Sequence, residues 1–430
     1  MDRIHQEEFD QQDRIEVRAR GPLEGSVTIS GAKNSVLKLM AACLLTEGAF
    51  TIRNVPDIDD VEVMADVLRS MGVSVNRFDD ALIIERPTVI NPEAPYALTE
   101  QLRASTAVLG PLLAGAGHAR VALPGGDDFG PRPIDMHIAA LEAIGCRFEI
   151  SGGDVHATAD NLVGSPVLLE FPSVGATENV MMAAVRAKGT TVIDNAAREP
   201  EIADLARFLN HMGGQVTGAG TSTIVVEGVD ELHPAEHTAM SDRIEAATFL
   251  AALGVAGGEI TLRGAQPDHM AMPCRKLSEM GVRTSSDSEG MWAMSNGRLR
   301  SADVSTLPYP GLPTDCKPLM VAMLSVAEGV GIVTENLFSG RFRYVDELLR
   351  MGADIRTESH HAVVRGVERL SGAPVRAPDI RAGAALVVAG LAADGVTVVS
   401  DPHHIDRGYE NLVGKLTLLG ADVRRVRPVD

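Results

Sequence analysis

The pattern of hydrophobic and polar positions along this 430-residue chain is repetitive. In each copy an Ala- and Leu-rich segment with helical spacing ends at glycine and is followed by a β-branched stretch. A second, amphipathic helix then closes on Leu-x-x-Met-Gly or a variant, before another β-branched stretch. The copies recur about every 70 residues, and their closing glycines are Gly72, Gly145, Gly213, Gly281, Gly352 and Gly420. We expect each closing glycine to end its helix in the left-handed conformation.

Six αβ units predict two domains of three repeats each. We place the seam near residue 240 and predict one domain over residues 33–239. The strand in IEVRARGPLEGSVTIS lies outside the six copies, so we expect it to pair within the second domain. That domain then combines residues 1–32 with residues 240–430. A cleft between two similar domains is a common place for a substrate site.

Composition narrows the possible partners. The net charge of −19 argues against nucleic acid and anionic membranes as partners. A local cluster of arginines can still bind an anionic substrate at short range. The acidic start MDRIHQEEFDQQDR does not resemble a signal peptide, and no apolar run reaches about 18 residues, so we predict a cytoplasmic protein. The four scattered cysteines indicate buried thiols rather than disulfides or a zinc site.

Three segments carry candidate chemistry. In GAKNSVLKLMAACLL, Lys33 and Asn34 precede an apolar helix, which places a cation beside helix N–H groups and favours an anion. In LPGGDDFGPRPIDMH, glycines and prolines surround Arg132 and predict a lid. Asp315 stands in the proline-bounded turn YPGLPTDCKP. The plainer alternatives are a capped helix with a solvated lysine, an ordinary loop and a turn-forming aspartate.

Further arginines stand at or near the ends of predicted elements: Arg103, Arg341, Arg381 and Arg407. Each alone is typical of a surface ion pair. Together they indicate a basic pocket in an acidic protein. The pairs His360–His361 and His403–His404 lack nearby ligands that would complete a metal shell, and neighbouring strand residues point to opposite faces. We therefore predict no metal site.

The ordered motifs resemble those of the enolpyruvyltransferases, most closely the branch that acts on UDP-N-acetylglucosamine and begins peptidoglycan synthesis. The resemblance runs from about residue 15 to the end. It is carried by ISGAKN, NVPDIDDV, QLRAS, LPGGDDFGPRPIDMH, FPSVGATENVMMAA, NAAREPEI, DRIEAATF, PGLPTDCKP, GRF, DIRAGA and HIDRGYE. It implies an α/β fold of two inside-out domains, each of three βαβαββ-like repeats, in agreement with the repeats found above.

The resemblance also implies an activity. The expected reaction moves the enolpyruvyl group of phosphoenolpyruvate to the 3-hydroxyl of UDP-N-acetylglucosamine, by addition and elimination through a tetrahedral intermediate, with release of phosphate. No metal or organic cofactor is implied. An alternative is a paralogue that uses the 3′-hydroxyl of UMP in nucleoside-antibiotic synthesis. A non-catalytic nucleotide-binding relative, a shikimate-pathway transferase and a repeat scaffold for protein partners are further alternatives.

Residue roles follow from the matching motifs. The expected catalytic residues are Asp127, Asp315, Lys33 and Arg407. Lys33, Arg132 and Arg407 would hold the phosphate of phosphoenolpyruvate, Arg341 and Arg381 its carboxylate, and Arg103 would position that group or the lid. Asn34 and Asp315 would face the sugar hydroxyl, with Asp315 as the base. The remaining expected substrate contacts are Pro133, Ile134, Asp135, Met136, His137, Ser173, Val174, Gly175, Leu337 and Phe338.

The lid motif departs from the family pattern. Asp127 stands where the family commonly has the cysteine that acts as general acid and reacts with fosfomycin. A carboxylic acid with a raised pKa can deliver the proton, but it reacts poorly with the epoxide, so we expect insensitivity to fosfomycin. The neighbouring Asp128 is an alternative acid. Phe129 replaces an aliphatic residue, and Lys317 replaces a glutamine, which would let Lys317 read an acceptor phosphate.

Overall fold

The computed structural model describes residues 13–123, 133–338 and 340–427. The chain divides into two compact units, Ser30–Met240 and Met1–Ile29 with Ser241–Asp430. Strands and helices alternate along both, which confirms the predicted α/β class. Asp127, Asp128, Phe129 and Arg132 lie outside the described residues, so the roles expected for them stay predictions.

The strands are short and the helices few-turned, as the 70-residue repeat requires. In chain order the strands are β1 Arg14–Arg18, β2 Leu23–Thr28, β3 Gly48–Arg53, β4 Ser74–Phe78, β5 Ala81–Arg86, β6 Glu93–Ala94, β7 His118–Ala122, β8 Arg147–Ser151, β9 Asp154–Thr158, β10 Pro166–Leu168, β11 Thr190–Asp194, β12 Gln215–Thr217, β13 Thr223–Glu227, β14 Glu236–Thr238, β15 Gly258–Arg263, β16 Val282–Ser286, β17 Gly290–Ser295, β18 Val304–Ser305, β19 Val330–Thr334, β20 Asp354–Glu358, β21 His361–Arg365, β22 Leu370–Ser371, β23 Pro374–Arg376, β24 Ala393–Asp394, β25 Val396–Ser400 and β26 Asp422–Val426. The α-helices are α1 Lys33–Ala42, α2 Asp59–Ser70, α3 Tyr96–Thr99, α4 Leu109–Ala116, α5 Asp135–Ala143, α6 Val174–Ala184, α7 Pro200–His211, α8 Arg243–Ala256, α9 Ala271–Met280, α10 Lys317–Leu324, α11 Val345–Arg350, α12 Ile380–Gly390, α13 His403–Asp406 and α14 Leu412–Leu418. Short 3-10 helices cover Cys43–Leu45, Arg103–Val108, Pro267–Met270 and Thr314–Cys316.

The four-stranded sheets of the described chain share one plan. An edge strand runs parallel to the second strand, and the third and fourth strands continue antiparallel. In the unit Ser30–Met240 the sheets are ordered β14–β3–β5–β4, β6–β7–β9–β8 and β10–β11–β13–β12. In the other unit they are ordered β2–β15–β17–β16, β18–β19–β21–β20 and β23–β25–β1–β26. This recurrence is the structural counterpart of the sequence repeat.

The first strand of the chain completes its last four-stranded sheet. β1 lies between β25 and β26 and is antiparallel to both, with Arg14 opposite Val426. β2 pairs in parallel with β15. In the unit Ser30–Met240 a late strand takes the corresponding place, because β14 pairs in parallel with the early strand β3. Each unit is therefore closed by a strand from the opposite end of its sequence.

The core of each unit is helical. Every residue of α10 and α12 is buried, and these helices pack against each other and against α8. In the other unit α4 packs against α6. α10 and α12 are therefore buried on all sides, whereas α2 and α7 bury one face only. Strands such as β13 bury alternate residues, as strands covering a core do.

Local conformation agrees with the repeat. The closing glycines have φ between 85° and 108°, which confirms the predicted left-handed helix ends. Close helix contact uses glycine as well, because a Cβ on Gly110 in α4 would lie 2.2 Å from the carbonyl oxygen of Asn179 in α6. All four cysteines carry free thiols, and Cys43, Cys146 and Cys316 are buried. Within the described residues, no helix combines the length and apolarity needed to span a bilayer.

Candidate active site

Lys33 begins α1 and is held by a carboxylate. Its Nζ lies 2.5 Å from Oδ2 of Asp60 at the start of α2, and Asp60 is buried. The residue before the helix is Ala32, and the helix start has no side-chain cap. Both observations contradict the plainer interpretation of a capped helix with a solvated lysine. A cation at the positive end of α1 remains suited to an anion, and the partly exposed Asn34 follows it.

Asp204 holds the start of α1 through hydrogen bonds, a role that sequence reasoning missed. Its Oδ2 accepts hydrogen bonds from Ser35 Oγ at 2.5 Å and from the Met240 N–H at 3.2 Å. Its Oδ1 lies 3.0 Å from Nε2 of the buried His237. Burial raises the pKa of Asp204, but the hydrogen bonds from His237 and Ser35 outweigh it and leave the pKa below its usual value. The signal that could have found it is an aspartate at a position on the apolar, buried face of α7.

His137 joins two of the predicted nucleotide-binding segments. It lies buried on α5, with Nδ1 2.9 Å from Nδ2 of Asn179 on α6. Because the amide of Asn179 donates there, Nδ1 is the acceptor and the imidazole proton sits on Nε2. A Cβ on Gly175 would lie 2.7 Å from Cε1 of His137. Ser173 caps the same helix, since its Oγ accepts from the Ala176 N–H at 3.3 Å.

The remaining residues of this group differ in exposure. Pro133 and Asp135 are exposed, Met136 and Val174 are partly exposed, and Ile134 is buried. The structure thus brings His137 against Gly175. The roles of the other side chains of these two segments as nucleotide contacts stay predictions.

Replacing Gly175 by alanine is expected to weaken nucleotide binding. The added methyl must displace the imidazole of His137, so we expect the free energy of unfolding to fall by about 1–3 kcal/mol. We also expect a higher KM for the uridine nucleotide that the motifs predict as a substrate. Chemical denaturation and steady-state kinetics measure the two effects. In the double variant His137→Ala/Gly175→Ala the clash is absent, so the loss of stability from the alanine at 175 should disappear. An unchanged KM and stability in Gly175→Ala would contradict this packing.

The pKa of His137 gives a second prediction. Burial, together with the charges of Arg103 and Lys38, lowers this pKa to about 4. An unfolded histidine has a pKa of about 6.5. Between these values the unfolded chain binds a proton that the folded chain does not, so the stability contributed by neutral His137 is lost as the pH falls through this window.

NMR titration should therefore show a neutral His137 imidazole at pH 5. The unfolding free energy of His137→Gln should fall less than that of wild type between pH 6.5 and 4. Comparison with wild type cancels the opposing contribution of Glu178, whose pKa burial raises to about 7. A His137 signal that titrates near pH 6.5 would contradict the prediction.

Asp315 lies between two buried arginines in the unit that contains Ser241–Asp430. Its Oδ1 is 2.9 Å from Nη1 of Arg341, and its Oδ2 is 3.4 Å from Nε of Arg381. Only 4% of either arginine side chain is exposed, against 27% of the Asp315 side chain. The carboxylate therefore reaches solvent while its cations do not. Ion pairs with residues distant in sequence contradict the interpretation of Asp315 as a simple turn former.

Helix α12 fixes Arg381. Asp379 caps this helix by accepting from the N–H groups of Arg381 and Ala382, both at 2.8 Å. The guanidinium of Arg381 lies 5.1 Å from the ring centre of Tyr409. Burial lowers the pKa of Arg381, but Tyr409 and Asp315 outweigh burial and raise it above its usual value, so the guanidinium stays charged.

The other predicted residues of this unit are partly exposed to solvent. Leu337 and Phe338 are partly exposed, and their N–H groups donate to Glu335 Oε1 at 2.8 and 3.2 Å. Arg407 is partly exposed and follows α13. In the other unit Arg103, also partly exposed, begins the 3-10 helix Arg103–Val108. Within the described ranges no group of three or more His, Cys, Asp or Glu residues is arranged to hold a metal ion.

Lys317 corrects a sequence interpretation. Its side chain has no exposed surface, and Nζ lies 3.0 Å from Oε2 of the equally buried Glu335. It also donates to the carbonyl oxygen of Arg341 and lies 3.9 Å from the ring centre of Phe342. A fully buried ammonium with these partners cannot meet an acceptor phosphate. The prediction that Lys317 reads such a phosphate was therefore wrong.

Comparison with known proteins agrees with this geometry. A family model described as EPSP synthase (3-phosphoshikimate 1-carboxyvinyltransferase) matches residues 17–416. The chain belongs to this family of carboxyvinyl, or enolpyruvyl, transferases. Two relatives named UDP-N-acetylglucosamine 1-carboxyvinyltransferase come from Nocardia farcinica and Mycobacterium leprae. They are 51% identical over 420 residues and 50% identical over 414 residues, and each alignment covers 96% of this chain and 99% of the relative.

Solved structures of enolpyruvyl transferases share the fold. The enolpyruvyl transferase NikO from Streptomyces tendae matches with a TM-score of 0.85 at 24% identity. EPSP synthase from Acinetobacter baumannii matches with a TM-score of 0.72 at 17% identity. Each match covers 96% of this chain and 99% of the other. These likenesses confirm the fold expected from the motifs.

Proposed function

We propose that this chain transfers the enolpyruvyl group of phosphoenolpyruvate to the 3-hydroxyl of UDP-N-acetylglucosamine and releases phosphate. The observation that carries the proposal is the carboxylate of Asp315 between the buried guanidinium groups of Arg341 and Arg381. The names of relatives about 50% identical to this chain support the choice of acceptor. We place the reaction in the cytoplasm, as the first step of peptidoglycan synthesis.

The arginines suit the carboxylate of phosphoenolpyruvate. Arg341 and Arg381 both direct guanidinium nitrogens at the partly exposed carboxylate of Asp315. Planar guanidinium groups bind a substrate carboxylate through paired N–H donors. Since both side chains are held in place before substrate arrives, little reorganisation is needed on binding.

The addition step needs a base and an acid. Asp315 accepts the proton of the sugar hydroxyl, whose oxygen bonds to C2 of phosphoenolpyruvate. A proton is delivered to C3, for which Asp127 is the proposed acid and Asp128 the alternative. In the elimination step C3 loses a proton, the C2–C3 double bond returns and phosphate leaves. Asp315 fits the role of base because its carboxylate is the partly exposed member of a buried cluster.

Phosphate departure needs fixed positive charge. Lys33 at the start of α1 supplies an ammonium beside helix N–H groups, and Asp60 fixes its position. Arg132 and Arg407 are the other proposed phosphate contacts. In the same unit we assign Asn34 to the sugar hydroxyl, Arg103 to positioning, and the residues around His137 and Gly175 to the uridine diphosphate.

Phosphate release with two acceptors tests the proposed function. The purified chain is supplied with phosphoenolpyruvate and either UDP-N-acetylglucosamine or UMP, and inorganic phosphate is measured over time. Release with the sugar nucleotide alone supports the proposal. Release with UMP alone would replace it with the paralogue, although the burial of Lys317 removes the sequence argument for UMP. Release with neither acceptor would contradict both.

Fosfomycin gives an independent prediction about Asp127. We expect the wild-type enzyme to lose no activity on incubation with fosfomycin, because a carboxylate at 127 opens the epoxide far more slowly than a thiolate. The variant Asp127→Cys is expected to turn over substrate and to be inactivated in a time-dependent manner. Residual activity after timed incubation measures both. Rapid inactivation of the wild type would contradict the role assigned to Asp127, and Asp128→Cys is the matched control.

A further inference from the structure

The buried ion pair of Lys317 and Glu335 makes more hydrogen bonds to its surroundings than packing alone requires. Replacing a buried ion pair with apolar residues of similar volume is often neutral or stabilising. Stability alone therefore does not explain two charges with no exposed surface. Both residues contact segments that carry proposed site residues.

Glu335 collects donors from three segments. Oε1 accepts from Thr306 Oγ1 at 2.7 Å and from the N–H groups of Leu337 and Phe338. Oε2 accepts from Thr314 Oγ1 at 2.7 Å and lies 3.0 Å from Lys317 Nζ. An ionised carboxylate only accepts hydrogen bonds, at about four lone-pair positions. Its acceptor capacity is thus fully used, and every donor is oriented toward it.

This arrangement fixes the direction of the next hydrogen bond. Thr314 has one hydroxyl proton, which goes to Glu335 because the carboxylate can only accept. Its oxygen therefore accepts from Nη1 of Arg341, 3.1 Å away. The same Nη1 donates its other proton to Asp315 Oδ1 at 2.9 Å. The chain of bonds runs from Asp315 through Arg341 and Thr314 to Glu335.

Lys317 anchors the backbone of the same arginine. Its Nζ donates to the carbonyl oxygen of Arg341, while the hydroxyl of Thr314 holds the guanidinium. The two ends of Arg341 are thus linked to one buried carboxylate, the guanidinium through Thr314 and the carbonyl group through Lys317. Both contacts to Arg341 come from the segment around Asp315, because Thr314 directly precedes Asp315 and Lys317 follows it by two residues.

We propose that Thr314, Lys317 and Glu335 are positioning residues that hold Arg341 and Asp315 in the arrangement used for transfer. They do not touch substrate. They set the rotamer of the arginine that binds the phosphoenolpyruvate carboxylate and keep its Nη1 shared between Thr314 and Asp315. The roles of Arg341 and Asp315 in this inference rest on the proposed function.

Thr314→Val and Thr314→Ser form the first test. Valine keeps the shape of threonine but cannot accept from Arg341, whereas serine keeps the hydroxyl. Loss of one hydrogen bond to a charged group is expected to raise the KM for phosphoenolpyruvate about 10- to 100-fold in Thr314→Val. The KM for the sugar nucleotide should stay within about twofold. Thr314→Ser should restore the wild-type KM for phosphoenolpyruvate.

Variants of the ion pair form the second test and do not depend on the first. Lys317→Gln and Glu335→Gln each leave a buried group unmatched, so each should lower kcat/KM for phosphoenolpyruvate. The double variant Lys317→Gln/Glu335→Gln restores a neutral match and should lose less than the two single losses combined. Lys276→Gln is the control, because Lys276 pairs with Glu279 on the surface helix α9 of the same unit. It should change neither constant.

Crystal structures of wild type and Thr314→Val separate this inference from the proposed function. The inference expects Arg341 Nη1 to leave its shared position in the variant. If wild type transfers enolpyruvyl to neither acceptor, the proposed function fails, but this comparison still tests the positioning. A folded Thr314→Val enzyme with wild-type kinetic constants and an unmoved Arg341 would overturn the inference. Additive losses in the ion-pair variants would overturn it too.

Discussion

Replacing Asp315 by asparagine is expected to lower kcat by about 10²- to 10⁴-fold, the range typical of a lost general base. Asparagine keeps the shape of the side chain and one acceptor oxygen, so Arg341 keeps a partner. It cannot take the proton of the sugar hydroxyl. The KM values should change much less than kcat, because the arginines still bind the substrate carboxylate. Steady-state phosphate release measures the effect.

The matched control for Asp315 lies in the same unit. Asp394 pairs with Arg369 through Oδ1 at 2.8 Å, but both side chains are exposed. Asp394→Asn should leave kcat unchanged, since exposed ion pairs contribute little. An Asp315→Asn enzyme with wild-type kcat would remove Asp315 from the proposed mechanism. A loss that disappears at saturating phosphoenolpyruvate would assign it to binding instead.

Replacing Arg381 by methionine is expected to damage both catalysis and folding. The guanidinium is buried against Tyr409 and Asp315, and methionine fills part of its volume without charge. Removing one partner of a buried pair typically costs about 3–5 kcal/mol of stability. In this variant Asp315 still pairs with Arg341. We therefore expect a loss of stability near the lower end of this range. We expect kcat/KM for phosphoenolpyruvate to fall by about 10³-fold.

Arg369→Met tests the same chemical change at an exposed position. It removes the other half of the surface pair with Asp394 and should leave both stability and kcat/KM near wild type. Denaturant unfolding and initial rates provide the two measurements. An Arg381→Met enzyme that keeps the wild-type KM for phosphoenolpyruvate would contradict the assignment of Arg381 to the substrate carboxylate.

Periodic features of the fold were accessible from the sequence. The closing glycines are local signals, because a helix that ends through a left-handed residue favours glycine wherever the chain turns next. Helices α10 and α12 are almost entirely apolar apart from Lys317 and Arg381, so their burial could be predicted from the sequence. The pairing of β1 with both β25 and β26 depends on residues at opposite ends of the chain. Local pattern cannot fix such a register.

The side-chain partners within the site were much harder to predict from the sequence. Asp315, Arg341 and Arg381 could be selected as candidates, but the buried carboxylates that organise the site, Asp60 and Glu335, were missed. Each is an ordinary acidic residue in its own segment, and its importance comes from a partner elsewhere in the chain. Lys317 was misread for the same reason. From sequence alone, a lysine in a helix can be assigned to a ligand, because the buried acid that pairs with it lies elsewhere in the chain.

The position of β1 has a consequence for the order in which the chain folds during synthesis. Asp13 and Arg425 form an ion pair although they are 412 positions apart. The unit Ser30–Met240 contains all of its own strands and can close while the ribosome is still translating. In the other unit, residues 13–29 cannot complete their sheet until β26 has emerged from the ribosome. In a nascent chain arrested before residue 422, we therefore expect the unit Ser30–Met240 to resist protease. We expect β1 in the same chain to be cleaved.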